Sequence, residues 1–224
     1  VKLKIYQINQ ERDAQGTKFM NSDWIARHTG SPAIDPGIYD EVFSGEVDCK
    51  DLEDVYNRFN TEGHPLHRGH SLSVSDVVVT DGGAFFCESI GFLEIGFDES
   101  ETHKRDDLLK IVYVEPGRAP FVSEVGDDFK SIQKAVDGLF QPVYMDDGTV
   151  LVCNEEAKLK EMPGNRHVGD SIIAGPFFMV GDSDEGFRSL TDAETEKYMT
   201  QFAQPEEITQ AEVRGDMGYT MYFW

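Results

Sequence analysis

The chain has 224 residues, 39% hydrophobic and 11% aromatic, which is enough apolar material for a core and too much for wholesale disorder. Its 42 acidic side chains against 20 Lys and Arg leave a formal net charge of −22. This argues against a nucleic-acid phosphate backbone or an anionic membrane as the direct partner, because both require a concentrated positive face.

Lys2–Ile8 alternates with period two and reads as an opening strand, with Leu3, Ile5 and Gln7 facing away from Lys4, Tyr6 and Ile8. Asn21–Ala26 reads as a short helix or turn, stopped by Gly30, Pro32 and Pro36. Ile38–Val47 is expected to be a second strand, with Tyr39, Glu41, Phe43 and Gly45 on one side. Asp48 can cap a helix that presents Leu52, Val55, Tyr56 and Phe59 at helical spacing. The β-branched run Leu72–Val79 follows, and Thr80-Asp81-Gly82-Gly83 supplies the positive-φ residues of a hairpin that returns through Ala84–Phe97.

Residues 99–107 hold no aliphatic or aromatic side chain before Leu108, and so read as a solvated linker and a domain boundary. The second half restarts with a strand at Leu108–Val114. A helix capped by Asp127 or Asp128 comes next, then a hairpin around Asp146-Asp147-Gly148. Ser171–Val180 reads as one strand, bent or at an edge because of Gly175-Pro176. Thr191-Asp192-Ala193-Glu194 matches a capping box and opens a helix with Tyr198, Met199 and Phe202 inward. Residues 205–224 form an aromatic tail, expected to be a docked strand, with an exposed interaction or oligomerising segment as the alternative. The expected fold class is α+β: two small domains, residues 1–98 and 108–204, each a mostly antiparallel sheet with one or two helices.

Residues 1–103 carry 19 acidic and 8 basic side chains and the remainder 23 and 12, so each part is net −11 and the charge covers two folded surfaces. Cys49, Cys87 and Cys153 are odd in number and widely spaced, which points to reduced thiols. No apolar run approaches the roughly 18 residues of a membrane span, and a cytoplasmic location is expected.

Chemistry is harder to place. His64, His67 and His70 are spaced i, i+3, i+6 but are interrupted by Pro65 and Gly69, and no zinc-type partner lies nearby, so no metal is expected. Ser71, Ser73 and Asp76 beside His70 suggest a hydrolase only until the missing glycine-bracketed nucleophile is noticed. Asn154, Glu155, Asn165 and Arg166 form the most suggestive polar set, since Asn and Arg can hold a carboxylate or phosphate; turn formation and surface ion pairing explain them too. No catalytic residue, cofactor or metal is therefore assigned. The candidate binding residues are Gly69, His70, Ser71, Ser73, Asp76, Asn154, Glu155, Asn165 and Arg166.

Phe59-Asn60, His64-Pro65 and the run Gly69-His70-Ser71-Leu72-Ser73-Val74-Ser75-Asp76-Val77-Val78, with Tyr6-Gln7 and Tyr39–Phe43 before them, resemble the YodL-like domain over residues 1–98. Asn154-Glu155, Asn165-Arg166 and Ile173-Ala174-Gly175 resemble an uncharacterised domain of phage, plasmid and conjugative-element proteins. Neither family carries an established activity. The resemblance implies an accessory protein of a conjugative transposon, of a kind that travels with antirestriction genes. The expected function is protein–protein interaction without catalysis, one form being inhibition of a basic, nucleic-acid-binding host enzyme. The alternative is a small-ligand module or enzyme in which Asn154, Glu155, Asn165 and Arg166, with His70 and Asp76, converge on one pocket.

Overall fold

The computed structural model describes residues 1–184 and 186–217. The chain is α+β, with three antiparallel sheets among the described residues, and it divides into two compact units at Asp106–Asp107. No helix among the described residues is long and apolar enough to cross a membrane.

The first unit is a five-stranded sheet of β1 (Lys2–Ile8), β2 (Tyr39–Glu46), β3 (Val77–Thr80), β4 (Gly83–Cys87) and β5 (Phe92–Ile95), in the order β2-β1-β3-β4-β5. Helix α1 (Ser22–Thr29) is capped by Asn21, whose side chain accepts from the Trp24 amide, and ends at Gly30 with φ 76°. Its buried Ile25 joins Tyr6, Ile8, Tyr39, Val77 and Phe86 on one face of the sheet. Helix α2 (Leu52–Asn57) is capped by Asp51 instead of Asp48 and runs into a wide π turn at Arg58–Glu62. On that side of the sheet Phe43 meets Phe59 and His64, with ring centroids 4.9 and 4.7 Å away.

Three features differ from the sequence reading. In the β1–β2 ladder Ile5 pairs with Phe43 and Tyr6 with Glu41, leaving Val42 as a bulge. Tyr39 and Glu41 therefore face the α1 side and Phe43 the α2 side, where simple alternation put all three together. The run Leu72–Val79 is strand only from Val77, because Ser75 adopts φ 76° and reverses the chain before it enters the sheet. Residues 99–106 are also part of the first unit, with His103 bonded on both sides to the open edge of β2: the Glu41 amide donates to the His103 carbonyl at 2.8 Å, and the His103 amide to the Tyr39 carbonyl at 2.9 Å. Backbone pairing lets a segment without apolar side chains attach to a sheet, and it covers an edge that would otherwise present unpaired groups.

The second unit holds a six-stranded sheet. Its strands β6 (Leu108–Val114), β7 (Phe121–Gly126), β8 (Phe140–Tyr144), β9 (Thr149–Asn154) and β12 (Phe177–Ser183) lie in the order β7-β6-β12-β9-β8, with β13 (Gly186–Arg188) on β12. A separate hairpin pairs β10 (Gly164–Val168) with β11 (Ser171–Ala174). Helix α3 (Phe129–Ala135) is capped by Asp128, and α4 (Asp192–Gln201) by the expected Thr191/Glu194 capping box. Tyr198 and Phe202 pack with Val112, Val114, Leu151, Phe177 and Met179. Ser171–Val180 is two strands, since Gly175 (φ 71°) and Pro176 break it. The second piece, β12, is central and not an edge: Pro176 lies just before the ladder, so its missing N–H removes no bond. In the tail, Gln210–Asp216 is a helix, α5, opened by a second capping box, Thr209 with Glu212. The aromatic run Gly218–Trp224, on which the docked-strand expectation rests, lies outside the described residues.

Candidate functional site

In the first unit the bulge at Val42 and the absence of a side chain on Gly69 allow the loop after α2 to cross the sheet. The Arg68 amide donates to the Val42 carbonyl at 2.9 Å. A Cβ on Gly69 would lie 1.9 Å from Gln7 Oε1, so no other residue fits here without displacing Gln7. Gln7 Oε1 accepts from the His70 amide at 3.0 Å, and Gln7 Nε2 donates to the His70 carbonyl and to Asp76 Oδ2, both at 2.8 Å. Asp76 Oδ2 accepts again from the Ser73 amide at 2.7 Å, while Oδ1 is buried without a hydrogen-bond partner. Tyr39 donates to the Ser75 carbonyl at 2.8 Å, and Ser75 Oγ accepts from the Phe19 amide at the same distance.

This network joins Gly69, His70, Ser73 and Asp76 with Gln7, which lies more than sixty positions upstream. Ser71 is exposed, and its carbonyl accepts from Ser73 Oγ at 2.7 Å. Burial drives the Asp76 carboxyl up to about 8, against the opposing pull of its Ser73 and Gln7 donors. Burial also holds the His70 imidazole below its usual range. His70 Nδ1 lies 2.9 Å from the Ser71 carbonyl, and the ring borders an open cleft of about 640 Å³ lined by Gln7, Asn9, Lys18, Asp40, Val42 and Gly69. His64 and His67 are buried against Phe59 and do not join His70. Among the described residues no group of three or more His, Cys, Asp or Glu side chains could hold a metal.

A second polar cluster on this unit escaped the sequence reading. Glu41 is 7% exposed, with Lys104 at 3.6 Å, Arg68 at 3.8 Å and Lys4 at 4.0 Å. Tyr6 donates to Glu99 at 2.5 Å, and burial raises its hydroxyl well above the ordinary range, with the Glu99 bond and the nearby carboxylates adding to the shift. The available signal was Glu41 itself, an acid on the core-facing side of an alternating strand beside Tyr39.

In the second unit the polar set separates. Asn154 donates to the Val136 and Asp137 carbonyls at 3.1 and 2.7 Å, closing the end of α3, and Glu155 is exposed. Asn165 Nδ2 donates to the carbonyls of Val114 and Gly175 at 2.9 and 2.8 Å. Arg166 is 1% exposed. Its Nη1 donates to the Asn165 carbonyl and Oδ1, both at 3.0 Å, and its Nη2 to the carbonyls of Arg118 (2.7 Å) and Phe202 (2.9 Å). Phe202 follows α4, so the guanidinium sits where the helix dipole favours a cation. Asn165 and Arg166 thus fasten the β10–β11 hairpin to the end of the large sheet. Four of the donor bonds that a ligand anion would need already end on the chain's own oxygens.

Comparison with known protein families finds two matches. Residues 2–97 match the model of the YodL-like domain, and residues 109–203 match that of a domain of unknown function, DUF3846. No curated protein and no solved structure matches the chain.

Proposed function

Starting from a chain that joins a YodL-like domain to a DUF3846 domain, we propose that it is a non-enzymatic accessory protein of a mobile genetic element of the conjugative-transposon type. It acts by binding another protein, a basic nucleic-acid-handling or defence enzyme of the host, and inhibiting it. One observation carries the reading: Arg166, the side chain of the second unit best suited to hold an anion, is buried with four bonds to protein oxygens, and in the first unit Asp76 Oδ2 is taken by Gln7 and the Ser73 amide. What faces outward is acid, at a net charge of −22, together with a few large apolar side chains. A surface of this kind steers a basic partner toward it and repels nucleic acid. The resemblance drawn from Gly69–Val78 and from Asn154-Glu155 with Asn165-Arg166 supports the mobile-element setting.

The test is affinity capture of the full chain from its native host at low and at raised salt. The expected catch is a basic DNA-binding enzyme whose recovery falls as salt rises. Recovery of no protein, or only of acidic ones, would contradict the proposal. A second reading, a small-ligand module, is favoured by the cleft beside His70, where Lys18 and the imidazole edge meet. A saturable shift of the His70 ring resonances on titration with inorganic phosphate would support it, and unshifted resonances would remove it.

A further inference from the structure

We propose that the outer edge of the large sheet in the second unit, from Phe129 to Tyr144, is a docking surface for a protein that presents an apolar group ringed by lysine and arginine. This rests on the interaction reading above and gives it a place and a chemistry. Helix α3 has seven residues and spans only about 10 Å, too little to cover the face of the sheet out to β8. Phe129, its first residue, is 60% exposed, with its ring 5.2 Å from that of Phe140. Along β8 the pleat places Phe140, Pro142 and Tyr144 on one face, and Tyr144 is 65% exposed. Leu139, just before β8, is 47% exposed at the same end of the edge. Contiguous apolar surface of this kind marks an interaction site more often than scattered exposed side chains do.

The backbone of the same edge restricts how the partner binds. The Glu155 amide donates to the Leu139 carbonyl at 2.8 Å, and the Met145 amide to the Thr149 carbonyl at 2.9 Å. Odd-numbered residues of β8 therefore bond toward β9, and even-numbered ones turn their peptide groups to the open side. Pro142, at the middle outward position, has no N–H to offer there, so an added strand would lose a bond at its centre. The contact is made through side chains.

Charge decides between a second copy and a different protein. Asp127 and Asp128 precede Phe129, Asp137 follows α3, and Asp146 follows Tyr144, with Lys130 and Lys134 as the cations on the helix. A symmetric contact would bring these carboxylates near their own copies between two molecules each carrying −22. A partner with a basic rim relieves the same charges.

The experiment places the photocrosslinking residue p-benzoylphenylalanine at Tyr144, or at the exposed Leu159 as a control, in the full chain expressed in its host. The expected result is an adduct from position 144 with a protein of net positive charge, and none from position 159. Phe129→Ala should lower its yield about tenfold, the loss usual for an aromatic anchor, while the melting temperature shifts by no more than about 2 °C. An adduct with a second copy of the chain, an adduct from position 159 alone, or a yield indifferent to Phe129→Ala would overturn the proposal. So would the absence of an adduct at 144 while a basic protein still co-purifies, and that outcome spares the interaction reading. If no protein crosslinks or co-purifies, both fail.

Discussion

The two units bury polar side chains in comparable places, where a loop or hairpin crosses the end of a sheet, but with different chemistry. In the first unit Gln7 holds a turn whose members, His70 and Asp76, are both titratable, burial lowering the imidazole and raising the carboxyl. In the second, Asn165 and Arg166 make the corresponding attachment, and neither titrates there: an amide carries no charge and a guanidinium keeps its own. The same structural task is thus done by a pH-sensitive network in one unit and an insensitive one in the other. This difference supplies ways to tell the two apart.

The largest expected effect is at Arg166. Arg166→Met leaves four oxygens without their charged donor and should destabilise the second unit by about 3–5 kcal/mol. Hydrogen exchange of β12 amides in the full chain is the check, and protection in β1 should be unchanged. A loss shared equally by both units would erase the comparison.

The next effect concerns Asp76. Its folded-state value is raised to about 8 from the unfolded 3.8, so its contribution is fully present below the unfolded value and is lost as pH rises toward 8. The first unit should weaken steadily as pH rises through that window. His70 acts in the opposite sense as pH falls below 6.5, and the charge of Lys18 lowers both groups. Asp76→Asn keeps an acceptor for Ser73 and Gln7 and should flatten the slope between pH 5 and 8, read from the Trp24 indole resonance during denaturant melts. An unchanged slope would assign the pH response to other groups.

Gly69→Ala forces a methyl against Gln7 and should cost the first unit about 1–3 kcal/mol at every pH, read from the same resonance. The smallest effect sharpens the contrast from the other side. The bidentate bond from Arg188 lowers the Glu194 carboxyl to about 2 from 4.5, so its contribution is present above pH 4.5 and lost as pH falls toward 2. Glu194→Gln should remove about 1 kcal/mol from the second unit at neutral pH and little at pH 2. Equal effects at the two pH values would count against the Arg188 bond as the cause.

Local signals carried the fold where a single segment decides its own structure. The alternation of Lys2–Ile8, the Gly82-Gly83 and Asp147-Gly148 hairpins and the Thr191/Glu194 box all appear as read. They failed where the decisive partner is remote. Strand β10 has almost no apolar alternation because its Asn and Arg are held by carbonyls from Val114, Arg118, Gly175 and Phe202, and a carbonyl has no sequence signature. The Val42 bulge depends on pairing across β1, and the capture of residues 99–106 is made by backbone bonds to β2 and by Glu99 with Lys4 and Tyr6. At the site, His70 and Asp76 were legible from one short string, whereas Gln7 was not, because only the folded sheet brings it to them.

The central claim is that the buried polar networks hold the fold while the acidic and apolar exterior meets the partner. The most direct test compares Asp76→Asn and Phe129→Ala full-length chains in the same capture from the native host, with recovery of the basic partner as the measurement. The account expects Asp76→Asn to retain that partner at the level of the unaltered chain and Phe129→Ala to lose about nine-tenths of it at unchanged stability. Loss with Asp76→Asn and retention with Phe129→Ala would place the function in the buried network and contradict the account.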